Sequence, residues 1–138
     1  MRIVIDTNVI ASAIFFGGKP RKLVEHVFNG AVTAVASPEI IEEYKATVDY
    51  LIDKYKGREI GAALTQIATH IEVISVSRKV KVCRDPDDDK FIACAAEGRC
   101  LYIVSGDKDL QSIGRYENIT VVTVSEFLNQ MDSGSTHI

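Results

Sequence analysis

The sequence predicts an α/β fold, a three-layer α/β/α sandwich around a central, mainly parallel sheet. Apolar runs of strand length alternate with longer segments of helical period along the whole chain. Acidic residues also follow at once on the ends of apolar runs: Asp6 after residues 2–5 and Asp107 after residues 101–106. Open parallel sheets place their ligands outside the carboxyl ends of the strands, so these carboxylates fit the same architecture.

The elements follow in order. Residues 2–5 (Arg-Ile-Val-Ile) read as a short buried strand, and residues 8–16 as an apolar helix ended by Gly17-Gly18. Pro20 suits the first turn of a second helix carrying Leu23, Val24, Val27 and Phe28, and Gly30 stops it. Residues 31–36 form a second buried strand; Ser37 caps the next helix, with Pro38 at its first position. That third helix has the clearest 3.6-residue period, in Ile40, Ile41, Tyr44, Val48, Leu51, Ile52 and Tyr55, and Gly57 interrupts it. A helix over residues 59–69, a strand over 71–76, and a short extension or loop over 79–83 come next. Residues 89–97 read as an Ala-rich helix, 101–105 as a strand, 108–113 as a short helix, 119–124 as a strand and 125–131 as a helix.

At 138 residues the chain fits one domain, residues 1–131, and residues 132–138 lack a packing pattern and are expected to be a disordered tail. Charges break the apolar runs well short of the ~20 residues a bilayer span needs. The N-terminus starts directly on a strand, without a basic region followed by an apolar one, so a cytoplasmic protein is expected. Cys83, Cys94 and Cys100 are odd in number and have no C-x-x-C spacing, which argues against disulfides or zinc and for reduced, packed thiols. His26, His70 and His137 are scattered and read as surface or half-buried residues. A net charge of −3 disfavours a dedicated DNA-coating protein but suits an enzyme whose ligands are acidic.

Three acidic runs stand out: Asp6-Thr7-Asn8, Asp85-Pro86-Asp87-Asp88-Asp89 and Asp107-Lys108-Asp109. Buried carboxylates are costly unless a cation, a basic partner or protonation compensates them. Oxygen donors alone select hard cations, chiefly Mg2+ or Mn2+, and one or two such ions can promote displacement at a phosphodiester. Each run also has a plainer reading. Asp6 and Asp107 can cap the helices that follow them, and the middle run can be a solvated helix N-terminus. Three runs at three segment ends favour convergence on one site. A fourth carboxylate is expected from the periodic helix, where Glu43 lies nearest the edge of the apolar stripe, narrowly ahead of Glu42, while Glu39 also points further towards solvent.

Together the motifs resemble the PIN domain, the fold of metal-dependent ribonucleases that includes toxins of toxin–antitoxin pairs. They are I-x-I-D-T-N-V (3–9), S-P-E-I-I-E-E-Y (37–44), D-P-D-D-D-K-F-I-A-C-A-A (85–96) and Y-I-V-S-G-D-K-D-L (102–110), in family order over residues 2–128. The resemblance implies metal-binding carboxylates at Asp6, Glu43, one of Asp88 and Asp89, and Asp107. Counting back from the Ala-rich helix favours Asp89, and the D-P-x-D spacing favours Asp88. Asn8 and Ser105 match polar positions that orient water or phosphate, and Asp85 and Asp109 read as caps or supporting groups. The implied cofactor is Mg2+ or Mn2+, the implied substrate RNA, and the implied partners an antitoxin protein and a second copy of the chain.

Three basic clusters suit phosphate contacts: Lys19, Arg21 and Lys22; Lys54, Lys56 and Arg58; and Arg78, Lys79, Lys81 and Arg84. Phe15 and Phe16 are the aromatic pair expected to be exposed for stacking or for a partner. Two other readings compete with the ribonuclease. A haloacid-dehalogenase-like phosphatase needs D-x-D, and position 8 is Asn. A non-catalytic nucleic-acid- or protein-binding module on the same fold would use the acidic site for structure alone.

Overall fold

The computed structural model describes residues 1–55 and 61–135. Within them, six strands form one sheet: β1 (Arg2–Ile5), β2 (Thr33–Ala36), β3 (Ile71–Val73), β4 (Tyr102–Val104), β5 (Arg115–Tyr116) and β6 (Ile119–Val122). Their order is β3-β2-β1-β4-β6-β5, and every pairing is parallel except that of β5 with β6. Between and after the strands run α1 (Thr7–Phe15), α2 (Gly18–Phe28), α3 (Pro38–Lys54), α4 (Gly61–Ala68), α5 (Asp89–Glu97), α6 (Lys108–Ile113) and α7 (Val124–Ser135). The expected sandwich with a central, mainly parallel sheet is the fold observed.

The strands owe their places to unbroken apolar runs. Successive side chains of a strand point to opposite faces, so a strand buried at every position has both faces covered. Ile3, Val4 and Ile5 of β1 are all buried, as are Ala34, Val35 and Ala36 of β2 and Ile103 and Val104 of β4. Helix α5 packs against β1, β2, β4 and β6 through Phe91, Ile92, Ala93, Cys94 and Ala95, all buried. Helix α3 starts as expected: the Ser37 hydroxyl accepts the Ile40 amide at 3.2 Å, with Pro38 in the first turn. Its stripe buries Ile40, Tyr44 and Val48, whereas Tyr55 lies beyond the helix and is exposed.

Several expected boundaries move. Strand β3 stops at Val73, and residues 74–85 run on without helix or strand. Strand β5 carries no apolar signal of its own; it is a two-residue edge strand that turns back onto β6 through Glu117 at φ 53°. Helix α7 continues through Ser135, so residues 132–135 of the expected disordered tail are helical, and 136–138 lie outside the described residues. Gly57 and the expected start of the fourth helix at Glu59 also lie outside them. No helix among the described residues is long and apolar enough to cross a membrane.

Candidate metal centre

The register of β1 on β4 pairs Ile5 with Val104, so the next residues along the two strands, Asp6 and Ser105, emerge side by side. The backbone continues the ladder: the Asp6 amide donates to the Val104 carbonyl and the Ser105 amide to the Val122 carbonyl, each at 2.9 Å. Asp6 is 6% exposed and Ser105 fully buried. The Ser105 hydroxyl donates to Asp6 Oδ2 at 2.6 Å and accepts the amide of Asp107 at 2.9 Å. One hydroxyl thus fixes the Asp6 carboxylate and the main chain at Asp107.

Asp6 occupies the N-cap position of α1, but its carboxylate makes no capping bond there. Capping therefore does not account for it. Burial pushes its pKa upward, against the opposing hydrogen bonds from Ser105 and the Thr7 amide, and the charges of Asp107 and Glu43 add to the rise. Asp107 does cap α6, accepting the Asp109 amide at a long 3.4 Å.

The middle run divides. Asp85 caps a 3-10 turn over Pro86–Asp88 by accepting the Asp87 amide at 3.0 Å. Asp89 Oδ1 accepts the amides of Val82 (3.1 Å) and Cys83 (2.8 Å), pinning the preceding loop. Those amides outweigh burial and hold the Asp89 carboxyl below its ordinary value. Asp88 is the opposite case. Burial first, then the charges of Asp107, Asp85 and Asp6, push its pKa up to about 7, and its protonated form hydrogen-bonds Asp107. Between the two candidates left open by spacing, it is Asp88 that faces the strand-end carboxylates.

Glu43 comes from the second turn of α3 into a different set of contacts. The Thr7 hydroxyl donates to Glu43 Oε2, and the Lys90 ammonium pairs with Glu43 Oε1. Lys90 also pairs with Asp87 at 3.0 Å, and its side chain is only 9% exposed. Burial alone would depress this ammonium, but Glu43 and Asp87 more than offset it and hold its pKa above the ordinary value. Next to Glu43, the buried Tyr44 donates its hydroxyl to the Ile5 carbonyl, tying α3 to the end of β1. Asn8 is exposed on the first turn of α1.

Sequence reasoning missed Thr7 and Lys90. The available signal for Lys90 was its place directly after Asp87-Asp88-Asp89, one α-helical turn from Asp87. For Thr7 there was none, because a Thr after a strand-end Asp suits a helix start equally well.

The donors that gather here are carboxylate oxygens, with like charges acting on Asp6 and Asp88, which is the chemistry of a site for a hard divalent cation. Among the described residues, however, no three His, Cys, Asp or Glu side chains stand in position to hold one ion as they are. The four carboxylates expected from the sequence make different contacts. Asp6, Asp88 and Asp107 act on one another, Glu43 is taken up by Thr7 and Lys90, and Asp89 is taken up by backbone amides. The donor set, carboxylate oxygens without sulfur or imidazole, fits such a cation by its chemistry.

Beside Lys90 and Asp89 opens a groove of about 890 Å³ lined by the irregular segment 75–81 and the start of α3. It carries Lys79 and Lys81, both exposed, and Arg78, which is paired with Glu117 at 2.7 Å. In the first basic cluster, Arg21 is structural, donating to the carbonyls of Ala13 and Ile14 at the end of α1. Of the second, Lys56 and Arg58 lie outside the described residues. The aromatic expectation needs correction: Phe15 is buried, and only Phe16 is exposed, at 66%, packed edge-on against Tyr55. The three cysteines are free; burial pushes Cys83 and Cys94 up to about 12 and Cys100 to about 11, so they pack as neutral thiols.

Comparison with known proteins places this geometry. Residues 2–109 match the PIN domain family. The uncharacterized protein MJ1680 of Methanocaldococcus jannaschii is 35% identical, over 96% of this chain and 92% of that protein. VapBC2 from Rickettsia felis, solved bound to a DNA fragment from its promoter, superimposes with a TM-score of 0.57 at 17% identity, covering 89% of this chain and 98% of that one. The PIN domain endonuclease Utp24 superimposes with a TM-score of 0.53 at 20% identity, covering 87% of this chain and 82% of that one.

Proposed function

The chain belongs to the PIN domain family, and from that premise we propose that it is a Mg2+- or Mn2+-dependent ribonuclease. One observation carries the reading: Ser105 stitches Asp6 and Asp107 together at the ends of neighbouring parallel strands, with Asp88 opposite them. A buried carboxylate that caps nothing and repels its neighbours costs stability, and a function explains why it is kept.

In this reading Asp6, Asp88 and Asp107 hold the ion, and Glu43 forms the opposite wall. When bound, the ion supplies charge stabilisation at the scissile phosphate and lowers the pKa of an attacking water. Ser105 orients the Asp6 carboxylate and holds the main chain at Asp107, which limits the reorganisation needed when substrate arrives. Asn8, exposed at the first turn of α1, is a donor for water or a phosphate oxygen. Asp89 shapes the loop over 82–83 rather than touching the ion. Lys79 and Lys81 give the RNA backbone a sequence-independent path to the site.

The test is cleavage of mixed RNAs by purified protein with Mg2+ or Mn2+, and with EDTA. Cleavage that needs the metal is expected; no cleavage with either metal overturns the reading. The likeness to VapBC2 supports a toxin role with an antitoxin protein as partner. Growth arrest on expression in a bacterial host is then expected, and unimpaired growth with an enzyme active in the lysate overturns that part.

A further inference from the structure

Every position of α1 is buried except Asn8 and Ser12, and Phe16, which closes the helix, is exposed. These residues are spaced i, i+4, i+8, so they share one face of the helix. That face starts at Asn8, next to the buried Asp6 and Thr7, and ends at Phe16, about 12 Å further along the axis. Helix α3 runs beside it. The two meet at Thr7 and Glu43, and again where Tyr55 packs on Phe15 and Phe16 with ring centres 6.2 and 6.0 Å apart. Glu43, Thr47, Tyr50 and Lys54 keep an i, i+4, i+7, i+11 spacing, which places them along one edge of α3. The edge that begins with Glu43 at the acidic site thus ends at the aromatic group.

A single exposed Phe is ordinary. Here the ring stands at 88° to Tyr55 and packs against the buried Phe15, so aromatic neighbours fix its position. Positive charge flanks the pair. The Lys54 ammonium lies 5.7 Å from the centre of the Tyr55 ring, and the Arg21 guanidinium, held by the carbonyls of Ala13 and Ile14, lies against Gly17. The acids Asp49 and Asp53 project about 100° or more away from Lys54 round α3. The positive border, and the polar run back to the acidic site, favour a nucleic acid over a protein at this patch.

We propose that Phe16 and Tyr55 form a nucleobase-stacking subsite, set apart from the reacting phosphate and reached along Asn8 and Ser12. A base of the RNA stacks on the Phe16 ring and Lys54 meets a neighbouring phosphate, while the Asn8 amide and the Ser12 hydroxyl hydrogen-bond the strand between. Its ligand, RNA, is taken from the ribonuclease reading above; the subsite adds a grip on that ligand away from the reaction.

The chain has no tryptophan, so Phe16→Trp places a unique indole on the platform. The probe is a short fluorescein-labelled single-stranded RNA, with copies carrying one abasic residue at each position in turn, titrated into purified protein in EDTA to prevent cleavage. Phe16→Leu, which keeps an apolar side chain but no ring, is expected to weaken binding about tenfold. Phe16→Trp keeps its affinity, and unlabelled RNA quenches its emission. One abasic position is expected to cost the wild type about tenfold but Phe16→Leu less than about twofold, because the two losses are the same contact. No binding by the wild type, wild-type affinity in Phe16→Leu, no quenching in Phe16→Trp, or no abasic position that weakens the wild type overturns the proposal. Lost self-association in Phe16→Leu at unchanged RNA affinity also overturns it and assigns the patch to a second copy of the chain. If Phe16→Leu does not fold, the quenching and the abasic series decide. Cleavage in Mn2+ is scored separately. Cleavage without stacking leaves the ribonuclease reading standing, and stacking without cleavage overturns that reading alone.

Discussion

Asp6→Asn is expected to lower metal-dependent RNA cleavage by at least a thousandfold, about 4 kcal/mol of transition-state stabilisation, while raising the melting temperature of the metal-free protein by a few degrees. The two effects have one origin. Asp6 lies buried at the end of β1 with its carboxylate held by the Ser105 hydroxyl and the Thr7 amide, without a capping bond to α1. Its folded pKa is raised, so the stability linked to its proton is present at low pH and is lost as pH rises through the folded value. Once ionised, the carboxylate therefore opposes folding. Asn has the same shape, still accepts the Ser105 hydroxyl through its amide oxygen, and carries no charge. It removes the penalty and with it the negative ligand. Single-turnover cleavage and a thermal melt in EDTA read the two sides. A fall in both would make Asp6 a structural residue and remove the basis of the site.

The same opposition runs through the neighbouring residues and separates ligand candidates from supports. Asp85 and Asp89 each accept backbone amides, so their negative charge is compensated by the fold. Glu43 is compensated by Lys90. Asp6 and Asp88 are the carboxylates whose burial and neighbours push them towards protonation, and they share Asp107 as a neighbour. Uncompensated charge, rather than acidity as such, separates the candidate ligands from the supports.

This distinction explains what the sequence could and could not reveal. That Asp6 and Asp107 both follow the carboxyl ends of parallel strands was legible in the sequence; that those strands, β1 and β4, lie side by side was not, and only their pairing shows it. The boundaries of α3, α5 and α6 followed from Ser37-Pro38, the Ala-rich period and Asp107, all local signals. Strand β5 was not legible, since two residues paired only at a sheet edge carry no period. Nor was the choice between Asp88 and Asp89. Adjacent residues at a helix start differ in direction by about 100°, and only the positions of the Val82 and Cys83 amides show which one is drawn away. Lys90 escaped for a related reason: its partner Glu43 is 47 positions away on a helix whose acidic face looked solvated.

Asp88 gives the second large effect, a dependence of metal affinity on pH. Its carboxyl is pushed up to about 7, so below that pH a divalent ion must displace a proton before this oxygen can bind. For one proton the apparent affinity rises about tenfold per pH unit below 7 and levels off above it, a gain of roughly 100-fold between pH 5 and pH 8. The metal-free protein moves the other way. An acid raised in the folded state contributes stability that is full below its ordinary value and is lost as pH rises to about 7, so this contribution fades over the window in which affinity for the ion grows. Asp88→Asn is expected to bind Mn2+ more weakly at pH 8 and to flatten both profiles, leaving only the smaller slope due to Asp6. Calorimetric titration with Mn2+ at pH 5, 6, 7 and 8, at constant ionic strength, measures the first profile, and melts in EDTA measure the second. An affinity that stays level from pH 5 to 8 would mean that Asp88 does not meet the ion. Asp6 and Asp107 would then have to hold it with a group from outside the middle acidic run.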